Sequence, residues 1–189
     1  MIEDTMWFVK FHHDTCITSA RHFANSNVRI GESTIIGKGT VIFSNAVILY
    51  EVEIGKNCRI GNFSLIRDNV ELGDDVSIGS HNSIEPYAKI GDRTRTQGHC
   101  MISEYSNIGK NCFIGPYGNN PADNTIGKPE GEYVADPAII KDNVRIGSHV
   151  VITPGKVIEE NCIIGAGSVV TKSTKEGETW FGSPASKRE

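Results

Sequence analysis

Residues 30–72 read IGESTI IGKGTV IFSNAV ILYEVE IGKNCR IGNFSL IRDNVE L, and an Ile or Leu opens every block of six. The beat runs on: from Ile30 to Ile114 each sixth position is Ile or Leu, with Thr96 the one exception. It returns at Ile140, Ile146, Ile152, Ile158, Ile164 and Val170, and glycine often follows, as in Ile54-Gly55 and Ile146-Gly147. Six is neither the helical nor the plain strand period. A sustained hexapeptide repeat predicts an all-β chain folded as a parallel β-helix, one short strand and one turn per repeat. Three hexads make one triangular coil, so residues eighteen apart stack at ~4.8 Å, the inter-strand spacing. Such repeats predict about seven coils.

The break in phase predicts the organisation. Ile114 and Ile140 are not separated by a multiple of six, and the polar segment 120–133, NPADNTIGKPEGEY, is expected as one protruding loop. Residues 30–170 then form the β-helix. Residues 1–29 are expected as an N-terminal cap and first degenerate coil, with Trp7, Phe8 and Phe11 covering the open apolar end. Residues 171–189 are expected as a C-terminal cap or tail, with Trp180-Phe181 as its cover or a subunit contact.

Composition narrows the function. A formal net charge of −4 gives no reason to expect nucleic acid or membrane as a partner. No apolar run reaches transmembrane length, and the acidic start Met1-Ile2-Glu3-Asp4 does not read as a signal peptide. The expected compartment is cytoplasmic. Of the five cysteines, Cys58, Cys100, Cys112 and Cys162 occupy the fifth, small-residue position of a hexad and read as core. Only Cys16 lies outside that pattern. No metal site is expected.

The fourth residue of each hexad sits at a turn, and every third hexad shares one corner. Two corner columns are ordinary; the third runs Asn45, Phe63, His81, His99, Tyr117, and the resumed phase adds His149. Histidine is the natural general base near neutral pH. The hexad Thr96-Gln97-Gly98-His99-Cys100-Met101 also holds the broken aliphatic position, which makes His99 the candidate catalytic residue.

The run Ile164-Gly165-Ala166-Gly167-Ser168-Val169-Val170-Thr171-Lys172, followed by Gly182-Ser183-Pro184-Ala185, resembles the closing signature of the hexapeptide-repeat acyltransferases. Ser183 stands where that signature has Asn. The resemblance covers roughly residues 28–186. It implies a left-handed β-helix, a homotrimer with active sites between subunits, and acetyl-coenzyme A as cosubstrate. Residues 96–115 are similar to the nucleotide-linked 3-amino-sugar N-acetyltransferases, whose histidine and glutamine match His99 and Gln97. Gly98 replaces a serine of that pattern, and Ala122-Asp123 falls where it has Asn-Asp.

Together these readings predict transfer of an acetyl group to an amine of a nucleotide-linked amino sugar, with His99 as base or acceptor-orienting residue. His81, Gln97, Tyr117, Asn119, Asn120 and Asp123 are the expected substrate-binding residues. Gly147, Ser148, Ala166, Gly167, Lys172 and Lys175 are expected to hold the cosubstrate: backbone N–H groups for an oxyanion, close-packed glycines for the pantetheine arm, lysines for phosphates. The alternatives are O-acetylation of a sugar or small antibiotic, zinc chemistry like that of the γ-class carbonic anhydrases, and a non-catalytic scaffold.

Overall fold

A computed structural model describes residues 10–11, 27–124 and 133–188. The fold is the expected all-β left-handed parallel β-helix. Two-residue strands repeat every six residues and form three parallel sheets, the walls of a triangular prism. The first sheet runs from Lys10–Phe11 and Ile35–Ile36 up to Val157–Ile158. The second runs from Val41–Ile42 to Ile163–Ile164 and ends in Thr179–Gly182 and Ala185–Lys187. The third runs from Arg29–Ile30 to Val169–Val170. The first and third sheets hold eight strands each, so the prism is about a coil taller than the repeat count predicts.

Each position of the hexad has a physical reason. The first residue is buried on the prism axis, as Ile36, Ile42, Ile60 and Ile84 are. The fifth is small and also inside: Ala46, Cys58, Ser64, Val76. Where it is threonine, the hydroxyl serves the ladder. Thr40 Oγ1 donates to the Gly55 carbonyl at 2.8 Å and accepts from the Cys58 amide at 3.0 Å. Backbone bonds join coil to coil, for example Val41 N to Cys58 O and Gly61 N to Ile78 O, both 2.8 Å. This pairing satisfies the polar groups of a buried backbone. The fourth residue turns the corner with φ near +60°, as at Asn57 (55°) and His99 (61°). Asn, Asp and His tolerate that left-handed conformation best, which explains the asparagines at the corners.

The structure moves the loop. Asn119–Asn120 is a strand of the third sheet, pairing with Met101–Ile102 below. Asn120 is 3% exposed and takes the axial position that Ile or Leu fills elsewhere. Its Nδ2 donates to Ser106 Oγ at 2.8 Å and its Oδ1 accepts the Ser103 amide at 3.3 Å. The excursion therefore starts at 121, not 120, and Val134, the first residue after the expected loop, is 71% exposed. Its length of fourteen residues stands, because Asn107 pairs with Ile139, one eighteen-residue coil plus fourteen further on.

At the C-terminal end the tail is ordered. Thr179–Gly182 adds to Ile163–Ile164 in parallel and turns back antiparallel through Ala185–Lys187. Trp180 is buried, closing the second sheet's side of the prism, while Phe181 is exposed. Glu178 ties this end down: it accepts from the Lys175 amide (2.8 Å) and Trp180 Nε1 (2.9 Å) and pairs with Lys187 at 3.2 Å. Those donors, the Lys175 amide first, pull its carboxyl down to about 2. At the other end, Lys10–Phe11 pairs with Ile35–Ile36. The expected cap residues Trp7 and Phe8, the side chain of Phe11, and Cys16 lie outside the described residues. Among the described residues no helix is long and apolar enough to cross a membrane.

Candidate functional site

The turn between the second and third sheets carries the histidine column, and the coils bring it into register. Phe63, His81, His99, Tyr117 and His149 stack as one ladder of rings. Their centroids lie 4.9, 4.9, 4.9 and 4.7 Å apart, and the His81 and His99 planes differ by 1°. All five adopt φ between 56° and 62°. Histidine tolerates that conformation, but for Phe and Tyr it is unfavourable. Stacking on the ring above and below offsets part of that cost. All five rings are exposed. His149 joins from beyond the loop, because the coil register resumes after the excursion, with Asn119 paired to Val151.

Beneath the ladder lies a buried polar network. Asn82 Nδ2 donates to Thr96 Oγ1 at 2.6 Å, and Asn82 Oδ1 accepts the Cys100 amide at 2.7 Å. The Asn82 amide donates to Ser64 Oγ at 3.2 Å, and that hydroxyl donates to the Gly79 carbonyl at 2.7 Å. Thr96 is thus an interior partner, and its departure from the aliphatic series matches the amide of Asn82. Ser64, Asn82 and Cys100 each follow a ladder residue, so the network pins the corner directly under Phe63, His81 and His99. Burial pushes the Cys100 thiol up, away from thiolate chemistry.

Beside the ladder, the second sheet's residues just after the axial position form a column: Gly61, Gly79, Gln97, Gly115, Gly147, Gly165. The coils approach closely here. A Cβ on Gly79 would fall 2.5 Å from the carbonyl carbon of Gln97, and one on Gly147 would fall 2.5 Å from the Ala166 amide. The result is a trough floored by backbone, with the exposed Gln97 projecting from its middle, next to His99.

The expected cosubstrate residues divide. Gly147, Ser148, Ala166 and Gly167 share the ladder's corner, with Gly167 directly above His149 and open space where its side chain would be. The amides of Gly147 and Gly167 are spent on Ile164 O and Ser148 O, both at 2.8 Å. Those of Ser148 and Ala166 have no acceptor among the described residues. At the first-to-second corner, amides at this same third position are capped by carboxylates: Lys56 by Asp74, Lys110 by Asp142, both at 2.7 Å. The histidine corner has no acidic residue to cap them, which leaves outward N–H donors free for an anion. Lys172 and Lys175 lie elsewhere, past the third sheet toward the first, and do not join this corner.

The acceptor residues divide too. His81, Gln97, His99 and Tyr117 come together. Asn119 is on the outer face of the third sheet, half-buried, and its Oδ1 is buried with no hydrogen-bond partner. The side chain of Asn120 points into the prism, away from any groove. Asp123 belongs to the excursion, which leaves from the third-to-first corner rather than the histidine corner. There the Asp136 amide donates to Ala122 O at 2.6 Å, and Tyr133 hydrogen-bonds Glu104. Within one chain, Asp123 and His99 stand on opposite edges of the third sheet. Among the described residues no group of three or more His, Cys, Asp or Glu converges to hold a metal ion.

The family model for the bacterial transferase hexapeptide (six repeats) matches residues 33–68 and 137–172. A 45-residue stretch is 56% identical to galactoside O-acetyltransferase of Escherichia coli (strain K12), covering 24% of this chain and 22% of that one. Another 45-residue match is 44% identical to galactoside O-acetyltransferase of Lactococcus lactis subsp. lactis (strain IL1403), with the same shares. The chain thus spans under a quarter of the length of these relatives. Among solved structures, a variant of AntD, an N-acyltransferase from Bacillus cereus, in complex with dTDP-4-amino-4,6-dideoxyglucose and coenzyme A, is 27% identical. It superposes with a TM-score of 0.50 over 82% of each chain. A hexapeptide-repeat-containing acetyltransferase from Vibrio cholerae shares the fold at 21% identity, with a TM-score of 0.53 over 61% of this chain and 70% of that one. Repeat and coil register agree with these likenesses: the chain is similar, over the two matched stretches, to the bacterial transferase hexapeptide-repeat proteins.

Proposed function

We propose that the protein transfers an acetyl group from acetyl-coenzyme A to an amine of a nucleotide-linked amino sugar. The observation that carries this reading is the ring ladder with His99 at its centre, set beside a backbone-floored trough that has uncapped amides at its upper end. The similarity to AntD, crystallised with an amino-sugar nucleotide and coenzyme A, supports the class of both substrates.

In this reading the neutral amine attacks the thioester carbonyl. A C–N bond forms, the carbonyl becomes an oxyanion, and the C–S bond then breaks to release coenzyme A. His99 orients the amine and accepts the proton that nitrogen sheds; the departing thiolate is the final proton acceptor. A positioned base contributes roughly 10²–10⁴-fold. The Ser148 and Ala166 amides, two and three rungs above His99, are candidate donors to the cosubstrate. His81, Gln97 and Tyr117 position the acceptor. Asn119 stands on the outer face of the third sheet, and Asp123 leaves from that sheet's far edge, so Asp123 serves the site only by reaching a neighbouring subunit's ladder, which fits a homotrimer with active sites between subunits. A cytoplasmic location belongs to the same proposal.

One observation favours a second reading, transfer to a sugar hydroxyl: the short but high identity to galactoside O-acetyltransferase. A hydroxyl needs proton removal more than a neutral amine does, so the two readings differ in their dependence on His99. The test is thiol release from acetyl-coenzyme A across a panel of nucleotide-linked amino sugars and plain galactosides, with His99→Ala alongside. Turnover on an amino sugar that falls at least tenfold in the variant supports the proposal. A loss below about tenfold removes His99 from the base role, and turnover confined to galactosides selects the second reading.

A further inference from the structure

We propose that Arg59 and Arg95, with Ser77 between them, form a diphosphate-binding strip on the second sheet beside the histidine ladder, so that a nucleoside diphosphate lies along the glycine trough. This rests on the acyltransferase reading and names the group that docks there.

The strip follows from the hexad register. Arg59 pairs with Ser77, and Ser77 with Arg95, so the two arginines are two rungs apart on one outer face. That is ~9.6 Å along the axis at the inter-strand spacing, a span that the two long side chains close on one diphosphate by turning inward over Ser77. Both are exposed. Each has an aromatic neighbour: the Arg59 guanidinium lies 5.1 Å from the Phe43 ring centre, and that of Arg95 lies 5.9 Å from Phe113. Phe43 belongs to the rung below Arg59 and Phe113 to the rung above Arg95, so the two heads rest apart and a ligand must draw them inward.

The charge pattern is local. The chain as a whole is acidic, at −4, yet the outer positions of the second sheet carry no Asp or Glu. The first sheet, by contrast, carries Glu53 and Glu71. Three cations on the neighbouring faces and corners are paired inside the chain: Arg67 with Glu85 (3.1 Å), Lys89 with Glu71 (2.7 Å), Lys110 with Asp92 (2.8 Å). Among the described residues no carboxylate lies within ion-pair distance of Arg59 or Arg95. At the far edge of the sheet Asp74 is turned to the Lys56 amide and Asp92 to the Asp74 amide, while Asp75 is exposed. Arg145, two rungs above Arg95, is not part of the strip, because its Nη1 donates to the Asn111 carbonyl toward that far edge.

The trough supplies what two arginines alone lack. Gly61 and Gly79 keep the floor at backbone level, and the amide of Ser80 on the ladder side has no acceptor among the described residues. An anion lying here meets guanidinium forks on one side and a neutral N–H on the other, the combination that suits phosphate. Both proposed substrates carry a nucleoside diphosphate, coenzyme A in its adenosine part and the acceptor in its nucleotide.

Calorimetric titration with coenzyme A and, separately, with dTDP separates the two sources. The proteins are wild type, Arg95→Ala, Arg59→Ala/Arg95→Ala, Arg95→Lys, and Lys89→Ala on the first sheet. At least tenfold weaker binding of one ligand to the double variant, a partial loss in Arg95→Lys, and an unchanged Lys89→Ala support the strip. The ligand affected identifies the source. Wild-type binding of both ligands that survives unchanged in the double variant overturns the strip and leaves the acyltransferase reading standing. So does a double variant whose mass in solution falls to that of a smaller oligomer, since the arginines would then hold a second copy. Wild-type protein that binds no coenzyme A removes the acyltransferase reading and this inference with it.

Discussion

Replacing Thr96 by Val removes one oxygen and keeps the shape, and it tests the network under the ladder. The side-chain amide of Asn82 then loses its 2.6 Å acceptor inside the prism, where Asn82 and Thr96 are both 2% exposed. Water cannot replace the oxygen there. An unsatisfied buried donor costs about 1–3 kcal/mol. For a chain of 150–250 residues each kcal/mol moves the melting temperature by ~2–4 °C, so Thr96→Val should lower it by roughly 2–12 °C in circular dichroism. A compensated double variant sharpens the test. Asn82→Thr copies the arrangement in which Thr40 and Thr94 accept the next coil's amide at 3.0 Å, and Thr96→Ile restores the aliphatic series. Asn82→Thr/Thr96→Ile should recover wild-type stability or exceed it. A Thr96→Val protein as stable as wild type, or a double variant worse than the single, would refute this account. If the double variant is stable yet transfers acetyl more slowly, the network also positions His81 and His99 for function.

Three further outcomes are expected. Asn120→Ala strips the partners of Ser103 and Ser106 and should cost about 1–3 kcal/mol by urea denaturation, with KM for both substrates unchanged; a KM shift without a stability loss would return Asn120 to the substrate site. Cys58, Cys100, Cys112 and Cys162 are buried, and burial raises the Cys58 thiol to about 11, so iodoacetamide at neutral pH should label them only after unfolding, as peptide mass mapping would show. The Glu178 carboxyl is lowered to about 2 from 4.5, so what its charge adds to the C-terminal end is present above the ordinary value and lost as pH falls toward 2. Wild type and Glu178→Gln should therefore differ in thermal stability at pH 6 and converge near pH 2; a constant difference across that range would contradict the assignment.

The prism was legible because its two strongest requirements are compositional: an aliphatic residue on the axis and a small one at the inner turn. The histidine column was legible for the same reason, since exact eighteen-residue stacking follows from the period once the length of the excursion is known. Its starting point was not. Asn120 breaks the aliphatic rule, and only three dimensions show that Ser103 and Ser106 satisfy it inside. The shift by one residue matters for function: the strand Asn119–Asn120 carries the chain across the third sheet before it departs, so Asp123 leaves from the wrong edge to meet His99. Thr96 misled in the opposite sense. Its departure falls in the hexad of the candidate His99, but the cause is the polar side chain of Asn82 one coil below, which no linear spacing announces.

Arg59 and Arg95 escaped the sequence reading because the sixth position of a hexad varies freely and the net charge hides a basic face inside an acidic chain. A corner column is filtered by the left-handed turn, so histidine there has a ready conformational explanation. No such filter acts on the outer strand position, where any side chain fits. An alignment of two unpaired arginines on an acid-free face is therefore less readily explained by folding than the histidines beside it. If function selected any residue of this trough for its charge alone, the outer face of the second sheet is where that selection should be found.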